Sequence, residues 1–179
     1  MTVSLFQIPP TLRLGTCSAR GVMDYRSLVV GRDLDIISLT LCEYNHWLAS
    51  SLLTESLRFA DSIVTNSTNG LRIKTDYNAT GSVVNVTYSN IQLSNIKTYG
   101  IDIQQDYLNG GPSGKASNGV KVANISFSNI SGWVVPNAAD YYIFCGDGSC
   151  EDFTFDNVRI SGGTNTSRCN YPAEGCPVP

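Results

Sequence analysis

The most constraining feature of this sequence is a repeat. From about Leu57 onward the same short phrase recurs. Asn85-Val86-Thr87-Tyr88-Ser89-Asn90-Ile91 matches Asn124-Ile125-Ser126-Phe127-Ser128-Asn129-Ile130. Asp152-Phe153-Thr154-Phe155-Asp156-Asn157-Val158 follows, and Leu57-Arg58-Phe59-Ala60-Asp61-Ser62-Ile63 is a weaker earlier copy. Their aromatic positions, Phe59, Tyr88, Phe127 and Phe155, are 29, 39 and 28 residues apart. The longer gap contains the Gly/Pro-rich stretch 109–118, which reads as an extra loop. A repeat of this length in alternating apolar residues implies strands stacked as a solenoid, one coil per repeat. β-branched residues dominate and no helical stripe appears, which disfavours helices. Asn at the turns suits left-handed backbone and hydrogen bonds to neighbouring backbone.

The expected fold is therefore all-β: a right-handed, single-stranded parallel β-helix, truncated on its N-terminal side. Residues 57–179 are its C-terminal coils, and residues 1–56 form an atypical segment. An antiparallel sandwich is the competing architecture. It is disfavoured because no Asn-Gly hairpin step sits between tight strand pairs. In residues 1–56 no copy of the repeat is found, and 44–55 reads as a short amphipathic helix.

Charge and cysteine usage narrow the function class. A formal charge of −3 with 42% hydrophobic residues argues against disorder and against a basic nucleic-acid face. No stretch is long enough to span a membrane. Of six Cys, four fall in close pairs, Cys145/Cys150 and Cys169/Cys176, and the one His, His46, lies far from them. Zinc sites favour two-residue spacings or His partners, so local disulfides are the better reading. That implies an oxidising, extracellular compartment. Six sequons agree: Asn66, Asn78, Asn85, Asn124, Asn129 and Asn165 each open an Asn-x-Ser/Thr triplet and are glycosylation candidates. The first fourteen residues nevertheless carry no secretory leader pattern.

Several ordered motifs carry a resemblance. Asn69-Gly70-Leu71-Arg72-Ile73-Lys74-Thr75 is similar to the Asn-Gly-Val-Arg-Ile-Lys-Thr motif of fungal endopolygalacturonases, glycoside hydrolase family 28. Tyr99-Gly100-Ile101-Asp102-Ile103-Gln104-Gln105-Asp106-Tyr107 resembles the next family signature. Pro112-Ser113-Gly114-Lys115, Asn118-Gly119-Val120 and Cys145-Gly146-Asp147-Gly148-Ser149-Cys150 follow in family order. The match covers residues 57–179.

The resemblance implies an inverting hydrolase acting on α-1,4-galacturonosyl bonds of pectin, a monomer needing neither metal nor cofactor. It implies that Arg72 and Lys74 grip a substrate carboxylate just after the scissile bond and that Tyr107 contacts the sugar there. Arg72 and Lys74 are two apart and share one strand face, which suits a polyanion carrying one carboxylate per sugar. The plainer reading of the pair is a solvated strand face, and of Tyr107 a packing residue. Asp106 and Lys115 are expected on the loop surface.

An inverting glycosidase needs an acid and a base with room for water between them. The family carries these on Asn-x-Asp, Asp-Asp and Gly-His-Gly motifs upstream of Arg72. This sequence contains no Asp-Asp pair, and His46 lacks flanking glycines. No catalytic residue is assigned. Gly15-Thr16-Cys17-Ser18 resembles the stretch before the Gly-His-Gly loop. Codons for Gly-His-Gly-Leu-Ser-Ile read one base late give Val22-Met23-Asp24-Tyr25-Arg26 and the start of Ser27. Cys42-Glu43-Tyr44 accommodates an intron donor. Residues 1–56 are accordingly expected to reflect a displaced frame followed by retained intron, with Cys17 and Cys42 unpaired. The competing functional readings are a non-catalytic pectin-binding remnant and a β-helical surface protein.

Overall fold

The computed structural model describes residues 57–108 and 111–177, together with the backbone of 37–41. Among the described residues there are strands and turns and no helix. The strands are β1 (Ile37–Leu41), β2 (Leu57–Thr65), β3 (Asn69–Asp76), β4 (Gly81–Ile96), β5 (Tyr99–Leu108), β6 (Gly111–Pro112), β7 (Val120–Val134), β8 (Ala139–Phe144), β9 (Cys150–Ser161) and β10 (Arg168–Cys169). The region expected at 44–55 as a helix, and Cys17, Cys42 and His46, lie outside the described residues.

Apart from the two-residue β6, which pairs with β5, successive strands alternate between two sheets. One runs β1-β3-β5-β8-β10 and the other β2-β4-β7-β9, and every pair along these two paths is parallel. The chain thus winds as a parallel β-helix. Strand β1 falls within the segment without a recognised repeat, yet it continues the first sheet, pairing Ile37–Leu41 with Leu71–Thr75. Among the described residues there is one antiparallel ladder, Tyr107 to Pro112 and Leu108 to Gly111. The inserted loop thus folds back on the end of β5, an antiparallel step that the expectation of parallel coils did not include.

The repeat is the core. Phe59, Tyr88, Phe127 and Phe155 stack at centroid spacings of 5.1, 5.1 and 5.0 Å. Tyr88 and Phe127 are buried within that stack. On the opposite wall Ile73, Ile103 and Ile143 sit in register, each buried. Every such buried aliphatic contributes about 1.5–3 kcal/mol through area removed from water. Gly70 is needed where β3 meets β5: a Cβ there would lie 2.3 Å from the carbonyl oxygen of Gly100.

The turn positions behave as expected in backbone and differently in side chain. Asp61, Asn90, Asn129 and Asn157 all have φ between 51° and 56°. Their side chains bond to one another and not to backbone. Asn90 Nδ2 donates to Asp61 Oδ1 (2.9 Å), Asn129 Nδ2 to Asn90 Oδ1 (3.1 Å) and Asn157 Nδ2 to Asn129 Oδ1 (2.9 Å). In-register stacking puts like side chains one strand spacing apart, so each amide finds its copy on the next coil.

Both close cysteine pairs are disulfides, Cys145–Cys150 and Cys169–Cys176.

Candidate carbohydrate-binding face

The outer face of the first sheet collects the polar residues of the ordered motifs. Leu71, Ile73, Ile101 and Ile103 point into the core, so Arg72, Lys74, Asp102 and Gln104 point outward by alternation. Register pairs Arg72 with Asp102 and Lys74 with Gln104.

Arg72 is held firmly. Its Nε lies 2.6 Å from Asp102 Oδ2, and an Nη donates to Gln104 Oε1 at 2.8 Å. The Arg72 side chain is 11% exposed and that of Asp102 is fully buried. A buried carboxylate needs such a partner. The pair fixes the guanidinium plane. Asp102 and Gln104 were not singled out by sequence; the signal available was their position two residues apart on the strand after Arg72-Ile73-Lys74.

Lys74 Nζ stands 3.8 Å from the Tyr107 ring centroid, and Arg72 Cζ stands 5.6 Å from it. The three residues implied by the resemblance therefore form one cluster. Tyr107 reaches this face through a β-bulge. Lys74 pairs with Gln104, but Asp76 pairs with Tyr107, so β5 carries one extra residue across that interval. Strict alternation would turn Tyr107 inward; the bulge turns it outward beside Lys74. Asp76 completes this corner. Burial pushes its carboxyl above the usual range, and the neighbouring Lys74 ammonium pulls it partly back.

The bulge residues are anchored separately. Gln105 is fully buried; its Oε1 accepts from Gly146 N (3.0 Å) and its Nε2 donates to Val120 O (2.7 Å). It thereby ties β5 to the Cys145–Cys150 loop. Asp106, expected on the loop surface, is also fully buried. Its Oδ2 accepts from Gly114 N (2.9 Å) and Tyr142 OH (3.3 Å). The bulge and the folded-back loop cover it, which period-2 reading does not foresee. Burial and the nearby Asp106 charge raise the Tyr142 phenol well above its ordinary value. Lys115 is exposed, as expected.

Farther along the sheet, Tyr99 stacks on Tyr142 at 4.8 Å and Tyr142 meets Phe144 edge-on at 6.2 Å. Aromatic faces beside fixed cations suit a sugar ring with an acidic substituent. Among the described residues, no group of His, Cys, Asp and Glu is placed to hold a metal.

Of the six sequon asparagines, Asn66, Asn78, Asn124, Asn129 and Asn165 are exposed and Asn85 is half-buried. Asn85 Oδ1 accepts from Asn124 Nδ2 at 2.7 Å, so these two are joined across coils.

A parallel β-helix with a cationic and aromatic outer sheet face is the architecture of pectin-lyase-like carbohydrate-active proteins. Within that class, the family model for glycosyl hydrolases family 28 matches residues 50–177, and the chain belongs to this family. It is 50% identical over 149 residues to a polygalacturonase of Fusarium fujikuroi, covering 79% of this chain and 40% of that protein. It is 56% identical over 119 residues to a probable endopolygalacturonase D of Emericella nidulans (66% of this chain, 23% of that protein). Against endopolygalacturonase D of Aspergillus niger the identity is 54% over 128 residues (72% and 26%). The chain thus spans between about a quarter and two-fifths of the length of these relatives. The Fusarium match and the family match both begin upstream of Leu57.

Proposed function

We propose that this chain is the substrate-gripping C-terminal part of an endopolygalacturonase, an extracellular inverting hydrolase of polygalacturonate. The observation that carries the proposal is the convergence of Arg72 and Lys74 on the Tyr107 ring, on the outward sheet face. In this reading Lys74 and Arg72 receive a galacturonate carboxylate, and Tyr107 lies against the sugar. Residues 57–179 supply the coils that hold this grip. These 179 residues contain no Asp-Asp pair or Gly-His-Gly loop, so the acid and base of the family pattern are not assigned to any residue here. The relatives' names favour a pectin substrate, and the two local disulfides favour a secreted protein.

The test is binding and turnover measured side by side on the purified chain. Polygalacturonate should bind, more weakly at high salt, and no new reducing ends should form. Lys74→Ala is the cleaner probe of the grip. Arg72→Ala also removes a partner of the buried Asp102, and breaking a buried pair costs about 3–5 kcal/mol of stability. A chain that does not bind polygalacturonate at low salt refutes the reading. A chain that binds it regardless of Lys74 places the grip elsewhere.

A further inference from the structure

The row of outward residues that contains Arg72 does not end at Tyr142. Register carries it from Arg72 to Asp102, to Tyr142 and then to Arg168 on β10. Arg168 is thus the next cation on the same face, three strands from Arg72. At about 4.8 Å per strand, the two backbone positions are about 14 Å apart along the sheet. Asp102, between them, is occupied by Arg72.

The Arg168 environment is a prepared one. Its guanidinium carbon lies 3.7 Å from the Phe144 ring centroid. Stacking on the ring face fixes the guanidinium plane and leaves its edge N–H groups directed away from the ring. The residue is exposed, and among the described residues no carboxylate pairs with it. Phe144 itself leans on Tyr142, which stacks on Tyr99. A row of aromatic rings, Tyr99, Tyr142 and Phe144, therefore leads to Arg168, a cation whose hydrogen-bonding edge is open.

We infer that Arg168 and Phe144 form a second, distal carboxylate subsite that receives a uronate of the same polyuronate chain several sugars beyond the one held at Arg72 and Lys74. The inference rests on the proposed function and extends it. Strand spacing is comparable with the length of one pyranose residue, so a chain laid across the strands presents an acidic group near each outward row. A long oligomer reaches both cations at once, whereas a short one reaches only one. The second contact is then intramolecular and raises affinity for long chains selectively.

The experiment compares a galacturonate trimer with an octamer, by calorimetric titration at low salt, on wild type, Arg168→Ala, Arg168→Lys and Lys74→Ala. Arg168→Ala is expected to weaken octamer binding about fivefold, the scale of one partly exposed charge-assisted contact, and to leave the trimer unchanged. Arg168→Lys keeps the charge without the planar stack and should recover part of the loss. Lys74→Ala should weaken both oligomers. Equal octamer affinity in wild type and Arg168→Ala overturns the distal subsite alone, as does an equal loss for both oligomers. Failure of wild type to bind either oligomer overturns the proposed grip at Arg72 and Lys74 and this inference with it.

Discussion

Lys74 and Tyr107 meet with the ammonium 3.8 Å from the ring centroid, although they lie 33 positions apart in the chain on neighbouring strands of unequal length. The contact aligns the cation and the ring on one side of the sheet. It also gives each residue a role that the other's substitution should reveal.

Tyr107→Ala is expected to weaken polygalacturonate binding about five- to tenfold, through loss of the ring against sugar and of a cation–π contact of about 0.5–1 kcal/mol. Tyr107→Phe keeps the face and should bind nearly as wild type. Affinity electrophoresis in polygalacturonate gels reads both, and a Phe variant as weak as Ala would show that the hydroxyl carries the effect.

Asp106→Ala removes the acceptor of Gly114 N and Tyr142 OH from a fully buried site. Leaving those donors unsatisfied should cost about 1–3 kcal/mol. The expected signs are a lower denaturation midpoint and faster proteolysis within residues 109–118. Substrate affinity should fall too, since the bulge that presents Tyr107 is released.

The raised carboxyl of Asp76 gives a signed pH dependence. Its folded-state pKa lies above the unfolded value, so the native state holds the extra proton between the two. Stability from this group is then fully present below the unfolded pKa of 3.8 and is lost as pH rises through the folded pKa. Asp76→Asn should flatten that part of the curve. Denaturant titrations from pH 4 to 7 compare the two chains, and an unchanged slope in the variant would assign the dependence to another group.

Tyr88→Ala opens the aromatic stack at a fully buried site between Phe59 and Phe127. The cost should be about 3–5 kcal/mol, enough to threaten folding of a solenoid segment. Tyr88→Phe loses only a long 3.4 Å hydrogen bond to Arg72 O and should fold normally. Circular dichroism melts separate the two.

Much of the architecture was legible because a solenoid repeats its own rules. The spacing of Phe59, Tyr88, Phe127 and Phe155 anticipated their stacking, since each coil must present the same residue to the next. The long gap after Tyr88 was visible as an inserted loop. Cys145–Cys150 and Cys169–Cys176 were readable from proximity alone. Strand β1 was not, because its residues share none of the repeated phrase although its backbone pairs with β3. The anchoring of Arg72 by Asp102 and Gln104 was missed for a related reason: it depends on register between strands, which no local pattern states.

By itself, the sequence determined the parallel coils, their aromatic core and the two cations on one strand face, because alternation and repeat length leave little choice. Tertiary structure decided whether Tyr107 joins those cations. Counted from Asp102 and Gln104, Tyr107 has the parity of an inward residue. One extra residue in β5 opposite Thr75 reverses that parity. The bulge persists because Gln105 is tied to Val120 and Gly146, and Asp106 to Gly114 and Tyr142. Those partners come from later coils and from the inserted loop, so the face on which Tyr107 emerges is settled only when they pack.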